Sequence, residues 1–214
     1  MKRVPLIALL AACAPAQIQL RAGPRDFTAD DYPAVYDAWT READEFAWGN
    51  MDDVLHATAT FESWEFRWAY VVRYAADHSL DAAAREELLR ATLQDAREHH
   101  RFFVTLAGPR YREQNIAGDT SAWRVILLDP EGRQTSPVEI RRVRRPSAVE
   151  RVYFPSIHPH RQAFRIVFPA TRPDGTPTIA PDASQVTLRF TGPRGRVDLV
   201  WRFAGASTQR GEGV

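Results

Sequence analysis

Val186-Thr187-Leu188-Arg189-Phe190 and Val197-Asp198-Leu199-Val200-Trp201-Arg202-Phe203, joined across Thr191-Gly192-Pro193-Arg194-Gly195, form the stretch from which the fold is read. Val186, Leu188 and Phe190 alternate with Thr187 and Arg189; Val197, Leu199 and Trp201 alternate with Asp198, Val200 and Arg202. Side chains on a strand point to opposite faces in turn, so this pattern predicts a hairpin with one apolar and one wetter face. Such a hairpin needs a second layer to cover its apolar side.

Further strands are expected upstream, at Phe102–Leu106, Ala122–Leu128, Val138–Val143, Val149–Phe154 and Ala163–Phe168. They are separated by Asp129-Pro130-Glu131-Gly132, by Arg145-Pro146-Ser147 and, after Phe168, by a long loop rich in Pro, Gly and Thr. The residues before position 101 read as mostly helical. Thr28 and Asp31 suggest a capping box, and Tyr32, Val35, Tyr36, Trp39, Ala43 and Phe46 follow a 3.6-residue period up to Gly49-Asn50. Val54–Phe61 reads as a strand. A helical stripe of Phe61, Trp64, Trp68, Val71, Val72 and Ala75 follows, then a second helix starting near Asp81 with Leu89, Leu93 and Ala96 on one side, backed by Leu88. The expected fold is mainly β with a helical segment: an immunoglobulin-like antiparallel sandwich of about seven or eight strands, covered by N-terminal helices. A barrel is the alternative. The domain is expected over residues 28–204, helix-rich to 100 and strand-rich from 101, with 205–214 a flexible tail.

The start of the chain has a different character. Lys2-Arg3 precede an uncharged run from Val4 to Ala12, which is far shorter than the roughly 20 residues that span a bilayer. Leu10-Ala11-Ala12-Cys13 closes that run and holds the single cysteine of the 214 residues. This stretch resembles the lipobox of bacterial lipoproteins. The resemblance covers the signal alone, and no family is recognised for residues 14–214. It implies that residues 1–12 are cut away, that Cys13 becomes an acylated N-terminus followed by a tether to residue 27, and that the protein is anchored in a membrane. Ala14 after Cys13 is not the Asp that resembles an inner-membrane retention signal, so the resemblance points to the outer membrane and its periplasmic face. A lipidated Cys13 would also leave no thiol, which suits an oxidising compartment and excludes a disulfide or a cysteine-built zinc site.

Residues 14–120 carry 11 Arg against 19 acidic residues, whereas residues 121–214 carry 15 Arg against 8. Two halves of opposite sign attract each other within one fold, or offer a basic surface to an anionic partner. The densest run is Arg141, Arg142, Arg144 and Arg145. It reads either as a charged edge strand or as a docking surface for lipopolysaccharide phosphates, an acidic protein or the acidic N-terminal half of the chain. Nucleic acid is a poor partner beyond an export signal. Trp39 and Trp48 are candidates to line a partner groove, while Trp64, Trp68 and Trp201 are expected in the core.

Signals for catalysis are sparse. His158-Pro159-His160 supplies two imidazoles, half of a metal site, and would need His56, His78 or a carboxylate to complete it. Asp95 and His99 lie one helical turn apart and can pair, and His100 falls on the apolar stripe as a buried histidine. Glu62 and Glu65 could meet a substrate from the first turn of a helix, as glycosidase carboxylates do, but their spacing is also that of any solvated helix face. The chain lacks a Gly-x-Ser-x-Gly elbow, a phosphate loop and a dinucleotide fingerprint, and no cofactor is implied. The reading is an envelope lipoprotein that binds or assembles with a partner and is not an enzyme. The alternatives are a periplasmic hydrolase or metal-dependent enzyme, and a carbohydrate or lipid binder.

Overall fold

The structure, a computed structural model, describes residues 18–47, 52–118 and 120–204. Cys13 and Trp48 lie outside the described residues, as does the expected helix end at Gly49-Asn50. Asp31 accepts from the Thr28 N–H at 2.7 Å and from its hydroxyl at 2.8 Å. Helix α1 (Tyr32–Trp39) follows with Pro33 in its first turn, where a missing N–H costs nothing. The helix does not run on to Phe46. Strand β1 (Thr40–Ala47) begins at once and pairs antiparallel with β2 (Asp52–Phe61), with Thr40 opposite Thr60 and Asp44 opposite His56. The helical spacing of Ala43 and Phe46 was coincidental, because a strand partner ten residues on outweighs a weak local preference.

Helix α2 (Trp64–Asp77) is capped by Ser63, whose hydroxyl accepts from the Phe66 N–H, and α3 (Ala82–Glu98) is capped by Asp81. Then come β3 (His99–Ala107), β4 (Arg124–Leu128), the two-residue β5 (Gln134–Thr135) and β6 (Glu139–Val143). The segment expected as a strand at Val149–Phe154 is instead helix α4 (Ala148–Tyr153). Ser147 and Glu150 cap each other's backbone there, and the reciprocal bonds start a helical turn despite two valines. Strands β7 (Gln162–Pro169), β8 (Gln185–Gly192) and β9 (Gly195–Arg202) complete the fold.

All strand pairs within the sheets are antiparallel. The larger sheet has the order β1-β2-β3-β7-β6 and the smaller β5-β4-β8-β9. Two strands of the larger sheet thus come from the half expected to be helical. One face of this sheet meets the smaller sheet: Phe61 stacks on Phe102 at 4.6 Å, and Trp201 of β9 lies 5.3 Å from Phe102 and 6.1 Å from Phe61. The other face carries α2 and α4, with Phe103 stacked on Phe154 at 4.1 Å. Tyr32, Tyr70 and Tyr153 pack edge to face beside them, and the Tyr32 hydroxyl donates to the Tyr153 carbonyl at 2.6 Å.

The sandwich is closed along one side, where β1 meets β9. Trp201 Nε1 donates to the Trp39 carbonyl at 2.8 Å, Arg41 Nε donates to the Val200 carbonyl at 3.0 Å, and Ile18 bridges to Phe203. Trp39 is therefore fully buried and lines no groove, contrary to expectation. Its indole donates to Glu65 at 3.1 Å, and the following strand leaves it beneath Phe61 and Phe203. Trp64 and Trp68 are half-buried, and Trp64 donates to the Gly23 carbonyl under Arg97. Gly192 closes the last hairpin where the Ala122 carbonyl comes within 2.1 Å of where a Cβ would stand, so only glycine fits. The long loop after β7 is organised by half-buried Arg172, which donates to Asp129 at 2.8 Å, to Thr135 and to the carbonyls of Pro177 and Thr178.

Truncating Trp201 to Ala removes a fully buried indole and leaves a cavity between the sheets. The expected cost is about 3–5 kcal/mol, read from denaturant unfolding. A cost below about 1 kcal/mol would be inconsistent with this packing.

Candidate functional site

Arg67 occupies a position on α2 one turn before Val71, where an apolar residue is expected, and its side chain is only 4% exposed. Burying a guanidinium requires partners for its donors. Arg67 donates to the Glu62 carbonyl at 2.7 Å, to the Thr92 carbonyl at 3.0 Å and to Asp95 of α3 at 2.5 Å. Asp95 also accepts from Arg101 of β3 at 2.5 Å and pairs with His99 at 3.3 Å. Burial raises the Asp95 pKa, but the hydrogen bonds and charges of Arg101 and Arg67 outweigh it and hold the carboxyl below the usual range. Asp95 and His99 pair as their spacing predicted.

These groups form one wall of a cleft of about 390 Å³ between α2, α3 and the helix-covered face of the larger sheet. The opposite wall is Arg165 of β7, which donates to Glu62 at 3.2 Å and Glu150 at 3.1 Å while lying over the rings of Phe103 and Phe154. Phe66, Phe154 and Tyr70 line the apolar part, and burial followed by the Tyr74 side chain pushes the Tyr70 phenol up to about 12. Arg101 Nε is buried and finds no acceptor among the described residues. The cleft lining therefore combines three guanidiniums, two carboxylates and aromatic walls, and Arg165 pairs further with Glu150. Of its lining residues, the sequence pointed only to Asp95 and Glu62. Arg67 left a readable signal, a charge within a helical stripe; Arg165 reaches Glu62 from 103 residues away, which no local pattern records.

The remaining candidates are dispersed. Glu65 serves as the acceptor for Trp39 and does not share the cleft's ion pairs with Glu62. His158 and His160 are exposed in a turn closed by Arg161 N–H donating to the His158 carbonyl, and are not on an extended segment. Among the described residues no group of three or more His, Asp or Glu side chains is arranged to hold a metal. His56 lies between two carboxylates of β1, with Nε2 at 2.5 Å from Glu42 and Nδ1 against Asp44. Arg161 joins this group through Thr58 at 2.9 Å and Glu42 at 3.8 Å. The contacts Arg165–Glu62 and Arg161–Glu42 tie the basic C-terminal half to the acidic N-terminal half.

The arginine run lies on β6, an edge strand of the larger sheet. Arg141 is opposite Arg165 on the helix-covered face, and Arg142 is opposite Phe164 on the sandwich face, where it donates to the Tyr111 hydroxyl at 2.8 Å. Arg144 and Arg145 are exposed beyond the strand end. No protein-family model, curated protein or solved structure matches this chain.

His100, at the rim of the same helices, sets its ring edge-on to Phe61 at 5.9 Å. Burial, then the charges of Arg67 and His99, brings its pKa down to about 4 from 6.5. The unfolded chain therefore binds the proton more readily, and stability is full above pH 6.5 and falls as the pH drops toward 4. The loss by pH 4.5 is expected to be on the order of 2 kcal/mol. A His100→Asn variant should lose less stability between pH 7 and 4.5 in urea titrations than the parent. Equal losses would show that His100 is not the group responsible.

Proposed function

We propose that the chain is an outer-membrane lipoprotein, anchored through Cys13 at the periplasmic face, that acts as a binding or assembly component and not as an enzyme. The observation that carries this reading is Leu10-Ala11-Ala12-Cys13 at the end of a short uncharged run, with no second cysteine in the chain. A single acyl chain binds membranes only marginally, whereas the several chains of a lipoprotein anchor hold stably. Among the described residues no helix is long and apolar enough to cross a membrane. The architecture supports grouping the domain with immunoglobulin-like sandwiches as layers only: two antiparallel sheets face each other, but their strand order is their own.

The hydrolase alternative is less well supported by the cleft's chemistry. Acid–base catalysis by paired carboxyls needs one of them kept protonated near neutral pH. Asp95 and Glu150 are instead held below the usual carboxylate range: burial raises both, and their arginine partners, with the Ser147 N–H at Glu150, more than offset it. Aromatic walls beside paired ions are compatible with a small bound ligand, which keeps a carbohydrate- or lipid-binding role as the second reading.

Mass spectrometry of protein purified from membranes should give an N-terminal peptide that starts at an acylated Cys13. Replacing Cys13 with Ser should release the protein from the membrane fraction. An unmodified N-terminus at Ala14 or later, with unchanged fractionation of the variant, would refute the anchor.

A further inference from the structure

The larger sheet has two edge strands, and they end differently. β1 is covered by β9 through Arg41 and Trp201, while β6 pairs only with β7 in its sheet. An uncovered edge presents unpaired N–H and C=O groups, a template for another strand. Around β6 the surface is unusual in two independent ways. Residues 139–151 hold five Arg against two Glu. Glu139 is only 3.8 Å from Arg141, Glu150 is turned to Arg165, and among the described residues nothing pairs with Arg144 or Arg145.

The second feature is apolar. Every large hydrophobic side chain exposed among the described residues belongs to this neighbourhood. Val138 (63% exposed) precedes β6, Val149 (40%) and Val152 (62%) lie on α4 just after it, and Tyr111 (52%) holds Arg142. Charges that merely guard an edge against self-pairing do not require apolar side chains gathered beside them.

We infer that β6 receives an acidic, extended segment of a partner protein, which adds to the larger sheet as a sixth strand. The assignment deepens the binding role proposed above. Main-chain hydrogen bonds would supply affinity, carboxylates would meet the arginines, and alternate apolar residues would meet the valines. A protein segment fits better than lipid headgroups for a positional reason. Ile18, five residues from Cys13, is bridged to Phe203 at the end of β9, on the closed side. β6 lies four strand spacings, about 19 Å, across the sheet from β1, the strand that β9 covers. The described chain thus begins on the closed side of the sandwich, away from the arginine edge.

The test uses the full chain carrying Cys13→Ser, so that it does not depend on acylation: an unmodified Cys13 would leave it unaffected, and its failure would leave the anchor intact. The probes are the blocked octapeptide (Val-Glu)4, its (Val-Lys)4 counterpart, and vesicles containing phosphatidylglycerol. The acidic peptide should bind saturably, more tightly at low salt, at least tenfold more tightly than the lysine peptide, with amide shifts centred on residues 138–152. A double Arg141→Glu, Arg144→Glu variant, shown folded by circular dichroism, should bind at least tenfold more weakly, and Val152→Asp should also weaken binding. No preference for the acidic peptide, or shifts centred elsewhere, would overturn the inference. So would vesicle binding through these arginines with no peptide binding.

Discussion

The fold depends on Trp201 being fully enclosed between the two sheets. Its ring packs on Phe102 and Phe61, while its single polar atom donates to the Trp39 carbonyl. A buried indole is stabilising only if its N–H finds an acceptor, and the acceptor here is the last residue of α1. That one contact joins the helical layer, the larger sheet and the smaller sheet. It also explains the abrupt change from helix to strand at Thr40: the carbonyl of Trp39 faces β9, and Arg41 then reaches the neighbouring Val200 carbonyl.

Closing the β1–β9 side has a consequence for the other side. Among the described residues no fastening like that of β1 to β9 joins β5 to β6, where one strand has two residues and the other carries Arg141 and Arg142. The polar chemistry is distributed accordingly. The charged groups that lie under helices, around Arg67 and Arg165, are tied into ion pairs, and removing one partner would leave a poorly solvated charge. At β6 the ties are fewer: Arg141 is 3.8 Å from Glu139 and Arg142 meets Tyr111, while Arg144 and Arg145 just beyond the strand find no partner among the described residues.

The hairpin from Val186 to Phe203 was legible because each arm alternates cleanly and its turn carries glycine. β2, α2, α3 and β7 were legible for similar local reasons. β1 was hidden because Thr40-Arg41-Glu42-Ala43-Asp44 carries no apolar alternation; its identity as a strand comes from β2. α4 was hidden by its valines, although Ser147 and Glu150 were present as a capping pair. The arginine run could be placed on a strand from its position alone, but its standing at an open edge is a property of the strand order. The cleft was least legible. Its partners Glu62, Asp95, Arg101 and Arg165 come from four different segments, and only Arg67 broke a local pattern.

The central claim is a single cooperative sandwich, sealed at β1–β9 and open at β6. Amide hydrogen exchange on the intact chain tests it most directly. The slowest amides should fall together in Phe102–Leu106, Phe164–Phe168, Val186–Phe190 and Val197–Trp201, all exchanging through one global opening, while amides of Glu139–Val143 exchange faster. Protection of Glu139–Val143 as strong as that of β7, or separate opening of the two sheets, would contradict the account.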